Sequence, residues 1–162
     1  MSEDYCPACG AFVEGGRAGC QAVWDKISQR AYNNIDFAAT HDLAFDTYCM
    51  QHVEQYCLSA KSYAAHLTRL CCGLEYHGER KVYQAIQKWL NGAVAIEKPE
   101  ILKPRGTMTV VHLQRARNPE EHTLLVHEWA KSVWEAYRSQ HGLAHAWIQT
   151  ALAVPPRKSV PR

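Results

Sequence analysis

A chain of 162 residues, 47% apolar and 21% charged, is long enough to bury one core without disulfide staples and falls in the ordinary globular range. Its formal net charge of +2 argues against nucleic-acid and membrane-surface binding, which need a concentrated basic patch. No apolar run reaches the roughly 20 residues that cross a bilayer.

The N-terminus, MSEDYCPACG, is acidic and cysteine-bearing rather than an export signal, so the expected location is cytoplasmic, where thiols stay reduced. Residues 1–19 read as a Cys- and Gly-rich knuckle, because Gly10, Gly15, Gly16 and Gly19 interrupt any helical pattern. A first helix is expected from about Cys20 to Asn33, with Val23, Trp24, Ile27 and Ala31 on one face.

A second is expected from about Ala38 to Leu58, where His41, Phe45, Tyr48, Cys49, His52 and Tyr56 step at intervals of three and four. A third covers about Ser62–Leu74 and a fourth about Glu79–Leu90, ended by Asn91-Gly92. Pro99, Pro104 and Gly106 mark a long loop in which Thr107–Leu113 reads as a short strand or an irregular turn.

Asn118 as N-cap, Pro119 at the first helical position and Glu120 and Glu121 in the first turn then announce the clearest helix, running to about Tyr137. A last helix around Gly142–Val154 ends before Pro155, and the basic, proline-containing stretch 155–162 reads as a frayed tail. The expected fold is mainly α: one helical bundle over residues 20–154, forming a single domain with the knuckle.

In CPACG, Cys6 and Cys9 are spaced so that two thiolates converge on one ion, and Gly10 relieves the tight turn. Cys20 follows across a flexible stretch. Three soft donors favour zinc over magnesium or calcium, while iron and copper(I) stay open. Seven cysteines is an odd number, and the adjacent pair Cys71-Cys72 suits a disulfide poorly. A thioredoxin-like redox pair would want a βαβ context that this pattern lacks.

The segment HDLAFDTYCMQHVEQYC, His41 to Cys57, is unusually polar for a core helix. Asp46, Tyr48, Gln51, His52 and, from the next helix, His66 read either as a polar site or as a hydrogen-bonded core network. His52 is the expected fourth metal ligand. Asp46, Tyr48, His52 and His66 are the candidates for any catalytic role. His141 and His145 form HxxxH, which reads either as a metal pair or as two exposed histidines. His77, His112, His122 and His127 read as solvated or boundary residues.

Together CPACG, Gly19-Cys20, DTYCMQH, AHLTRL and EWAKSVWEAY resemble an uncharacterised bacterial family with CPxCG, DxYxxQH, HL and WAxxVW motifs. The resemblance spans nearly the whole chain and implies a shared fold and polar site but no activity. It singles out Cys6, Cys9, Cys20, Asp46, Tyr48, Gln51, His52, His66, Trp129 and Trp134. Family members often have a longer segment before the third cysteine and a proline after QH, where this chain has Val53.

A weaker likeness is to the DinB-like four-helix bundles, some of them metal-dependent thiol transferases, and it would unite His52 with His141 and His145. Three readings of function follow. The first is a zinc-binding helical protein that takes a small molecule or a protein partner, and the second is a metal-dependent hydrolase or thiol transferase. The third is a nucleic-acid or protein-binding module, disfavoured for nucleic acid because SEDYCPACGAFVEGG carries three acidic residues and no Lys or Arg.

Overall fold

The computed structural model describes residues 4–155. Most of the tail expected at 155–162 lies outside them. The first element is a tight loop in which Tyr5 pairs with Phe12 across an antiparallel bridge. The Cys6 N–H bonds the Ala11 carbonyl at 2.9 Å and the Gly10 N–H bonds the Cys6 carbonyl at 2.8 Å. Gly10 turns the chain at φ 78°, a left-handed conformation that costs a side-chain-bearing residue free energy.

Helix α1 spans Gly16–Asn33 and starts earlier than the expected Cys20, because Gly15 in the left-handed conformation serves as its N-cap. Gly19 carries the close approach between knuckle and helix. A Cβ there would sit 1.9 Å from the Glu14 carbonyl oxygen and 3.1 Å from a Val13 methyl. Alanine would raise helix propensity by about 1 kcal/mol, but a backbone clash of that depth outweighs the gain. Gly19→Ala is therefore expected to lower the melting temperature; an unchanged or raised value would show that the knuckle does not seat against α1 as described.

A short α2 (Ile35–Ala38) precedes the helix expected from Ala38 to Leu58, which is in fact two: α3 (His41–Gln51) and α4 (Val53–Tyr56). The break at His52 has a local cause. In a continuous helix the His52 N–H would bond the Tyr48 carbonyl. Here the His52 side chain occupies that carbonyl, with Nδ1 2.7 Å from the oxygen. The backbone N–H bonds Cys49 O instead at 3.0 Å, and His52 sits at φ −125°, ψ 47°.

Helix α5 (Ala60–Glu75) opens on a reciprocal capping box between Ser59 and Ser62. α6 (Arg80–Leu90) follows the expected bounds within a residue. Residues 107–113 form no strand: Val110–Arg115 is a 3₁₀ helix capped by Thr109 and His112. Asn118 caps α7 (Pro119–Ala136) as expected, its side chain accepting from the Glu121 N–H at 2.9 Å. A 3₁₀ turn, Arg138–Gln140, leads into α8 (His141–Leu152).

α3 packs on α5 and α7, α5 also on α6, α7 and α8, and α6 on α8, while α1 covers α2 and the 3₁₀ helix at 110–115. The core between them holds Tyr63, Leu67, Leu70, Ile86, Trp129, Val133 and Ile148, whose burial is the main source of stability. Cys49, Cys57, Cys71 and Cys72 are buried within it as free thiols. No helix among the described residues is long and apolar enough to cross a membrane.

Candidate metal centre

The loop before α1, the first turns of α1 and the break after α3 bring Cys6, Cys9, Cys20 and His52 together, each donor atom within 4.8 Å of the others. Cys20 Sγ lies 3.4 Å from His52 Nε2, Cys6 Sγ 3.6 Å from His52 Nε2 and Cys9 Sγ 3.7 Å from Cys20 Sγ. A tetrahedral zinc ion with Zn–S of about 2.3 Å and Zn–N of about 2.0 Å demands S···N edges of about 3.5 Å and S···S edges of about 3.8 Å. These three edges stand at that spacing. Cys6, Cys20 and His52 are at most 2% exposed, and Cys9 is half-buried.

The groups around the donors suit this role. The His52 Nδ1–H donates to the Tyr48 carbonyl, which leaves the lone pair on Nε2 facing the sulfurs. The imidazole stacks on the Tyr48 ring at 3.9 Å, and Trp24 stacks on the far side of Tyr48 at 4.7 Å. The backbone amides of Cys9 and Ala11 favour the thiolate forms of Cys6 and Cys9 respectively.

Left to themselves, three crowded thiols ionise at one another's expense. Hydrogen bonds from Cys20 and then Cys9 hold Cys6 far below the ordinary thiol range. Its two hydrogen-bond partners move the other way. Cys20 is driven far up by its hydrogen bonds with Cys6 and Cys9 and by burial. Cys9 keeps a favourable hydrogen bond from Cys20, yet Cys6 and burial push it up to about 11. A divalent cation removes this conflict by taking all three as thiolates.

Of the other polar residues of α3, Tyr48 borders the cluster, its hydroxyl 3.9 Å from the Cys20 sulfur, while Asp46 and Gln51 are engaged elsewhere. Asp46 is fully buried; the His66 Nδ1–H donates to it at 2.9 Å and the Arg69 Nε–H at 3.1 Å. Burial raises its carboxyl above the usual range in spite of those partners. Gln51 is a strut: its amide donates to the carbonyls of Arg105 (2.9 Å) and Met108 (2.7 Å) and accepts from the Trp129 indole at 2.9 Å. Burial keeps the Tyr48 phenol protonated well above its normal range. His41 lies on the expected stripe but stacks on Trp24.

His141 and His145 lie on α8, where His145 pairs with Glu75 and His141 stacks on Trp134 at 3.8 Å. The triad that a DinB-like likeness implied, His52 with His141 and His145, is therefore not assembled. His122 is not a solvated residue either. It is 1% exposed, accepts from the Arg30 guanidinium at 3.0 Å, and is lowered to about 4 by burial and Arg30.

Two residues that bind the centre to the bundle had no signal in the sequence. Arg105, 3% exposed in the long loop, donates to the carbonyls of Ala8 in the knuckle (3.2 Å), Gln51 (3.0 Å) and Leu102 (2.9 Å). It also forms a two-armed pair with the Glu54 carboxylate on α4, one arm at 2.8 Å.

Residues 4–138 match the Family of unknown function (DUF5946), and the chain belongs to that family. No curated protein and no solved structure matches the chain. The family's name carries no activity, so the chemistry must be read from the residues.

Proposed function

We propose that this protein is a zinc protein in which Cys6, Cys9, Cys20 and His52 form a structural centre that pins the N-terminal knuckle to the helical body. The supporting observation is that four donors from three separate chain segments lie within 4.8 Å of one another, with three of their separations at the edge lengths of a tetrahedral zinc site. Three thiolates and one imidazole favour zinc over the hard cations. Four protein donors also complete the coordination shell, whereas a catalytic zinc keeps a position open. The metal-dependent enzyme reading is therefore the weaker one for this centre. Free cysteines throughout the chain fit a cytoplasmic, reducing compartment. The knuckle's exposed Tyr5 and Phe12 rings, 5.0 Å apart, would be held in place for a protein or small-molecule partner.

The test is metal content by mass spectrometry after dialysis against a weak chelator. Wild type and Asp46→Asn are expected to keep one zinc per chain, because Asp46 belongs to a separate network. Cys9→Ser and His52→Ala are expected to lose it. Zinc retained at wild-type level by both of those variants would refute the assignment.

A further inference from the structure

The histidine pair on α8 leads to a second cluster, remote in composition from the cysteine centre. Cys71 and Glu75 lie one turn apart on α5, so both point to the same face, and α8 packs on that helix. There the donor atoms of Cys71, Glu75 and His145 all lie within 4.8 Å of one another. We propose that these three residues form a second, half-open site for a divalent transition metal of the zinc class.

The two oxygens of Glu75 are used differently. Oε1 accepts from the Trp134 indole N–H at 3.0 Å, which fixes the carboxylate plane. Oε2 is thereby turned toward the Cys71 sulfur, 3.7 Å away, and is in hydrogen-bond contact with His145 Nε2. An ion bound to sulfur at about 2.3 Å and oxygen at about 2.0–2.2 Å sets an S···O edge of about 3.6 Å, close to the separation found. His145 has to swing outward by about 1 Å to reach its own edge. Its side chain is 43% exposed, so it has room to do so.

Trp134 is itself anchored. His141 stacks on its ring and bonds its carbonyl at 2.8 Å through Nε2. In this arrangement His141 positions the indole that orients Glu75, and His145 is the α8 histidine that ligates. A carboxylate held in this way by a neighbouring donor is the usual support for a metal ligand.

Cys71 closes the bottom of the site at 0% exposure, and Glu75 and His145 form its rim at 37% and 43%. The fourth position then faces solvent, as in zinc sites that bind water or an exogenous ligand. One sulfur, one imidazole and one carboxylate favour zinc, cobalt or copper over magnesium and calcium. His145 lies beyond the 4–138 segment shared with the family, so the full donor set belongs to this chain and not to the matched segment.

The experiment is equilibrium dialysis of the full chain against micromolar free Zn²⁺, counting zinc and protein. Wild type is expected to hold two zinc ions per chain, and His145→Ala and Cys71→Ala one each. Both variants should keep the wild-type circular dichroism spectrum, since His145 is half exposed and Cys71→Ala is a small change. Trp134→Phe, which frees the carboxylate, is expected to weaken the second ion about 10-fold. A His145→Ala count equal to that of wild type overturns the proposal. Failure of the cysteine centre gives a different pattern: Cys9→Ser then matches wild type, while His145→Ala still drops by one.

Discussion

Cys9→Ser is expected to lower the melting temperature by about 6–16 °C, and chelation of the wild type should reproduce that loss while adding nothing in the variant. The magnitude follows from linkage. Zinc bound by the folded chain and not by the unfolded one turns binding free energy into folding free energy, about 10–16 kcal/mol in isolated zinc-finger peptides. Here the helical body has its own core, so only part of that coupling falls on global unfolding. A loss of about 3–4 kcal/mol, at about 2–4 °C per kcal/mol for a chain of this size, gives the stated shift. The knuckle should respond first, because a bound ion would tie Cys6 and Cys9 to Cys20 on α1 and His52 after α3. Superimposable melting curves for wild type and Cys9→Ser would mean that the sulfurs carry no structural ion.

Arg105→Met should cost about 2–3 kcal/mol in chemical denaturation, close behind the cysteine ligand. The substitution keeps the bulk of the side chain but strands the Ala8, Gln51 and Leu102 carbonyls, each of which costs about 1 kcal/mol or more when left without a donor. The Glu54 carboxylate adds less than a buried ion pair would, because it is 38% exposed and water can take over.

Its contribution has a pH signature. The Arg105 hydrogen bonds hold Glu54 down to about 2 from an ordinary value of 4.5. A lowered carboxyl pKa stabilises the fold above the unfolded value, and that stabilisation fades as pH falls toward the folded one. The stability gap between wild type and Glu54→Gln, both metal-free, should therefore be full at pH 6 and smaller at pH 3. A gap that widens on acidification would show that Glu54 is not held by Arg105.

These two effects also mark what could and could not be read from the amino-acid sequence. The helices with strong local signals, α6 by its apolar period and α7 by Asn118-Pro119 and the two glutamates, lie where the pattern puts them. The convergence of Cys6, Cys9 and Cys20 was legible because soft donors at that spacing have few other uses, whereas their spacing does not say that His52 lies beside them. The break in the second expected helix was not legible, since it depends on one side chain taking a backbone carbonyl, which periodicity cannot register.

Asp46, Gln51 and His66 illustrate a different limit. Their spacing on α3 and α5 announces a polar interior but not how it divides. Asp46 pairs with His66 and Arg69, Gln51 goes to the 105–108 loop and Trp129, and His52 goes to the sulfurs. Arg105 was invisible for a related reason. A lone arginine between a proline and a glycine in a long loop looks solvated until the fold closes over it.

The most direct measurement is X-ray absorption at the zinc edge on protein carrying one zinc per chain, in the His145→Ala background so that a single environment is sampled. Three sulfur scatterers at about 2.3 Å and one imidazole nitrogen at about 2.0 Å are predicted, with the nitrogen lost or replaced in His52→Ala reloaded with one equivalent of zinc and measured without chelator. A shell dominated by oxygen and nitrogen, or a three-sulfur shell unaffected by His52→Ala, would contradict it.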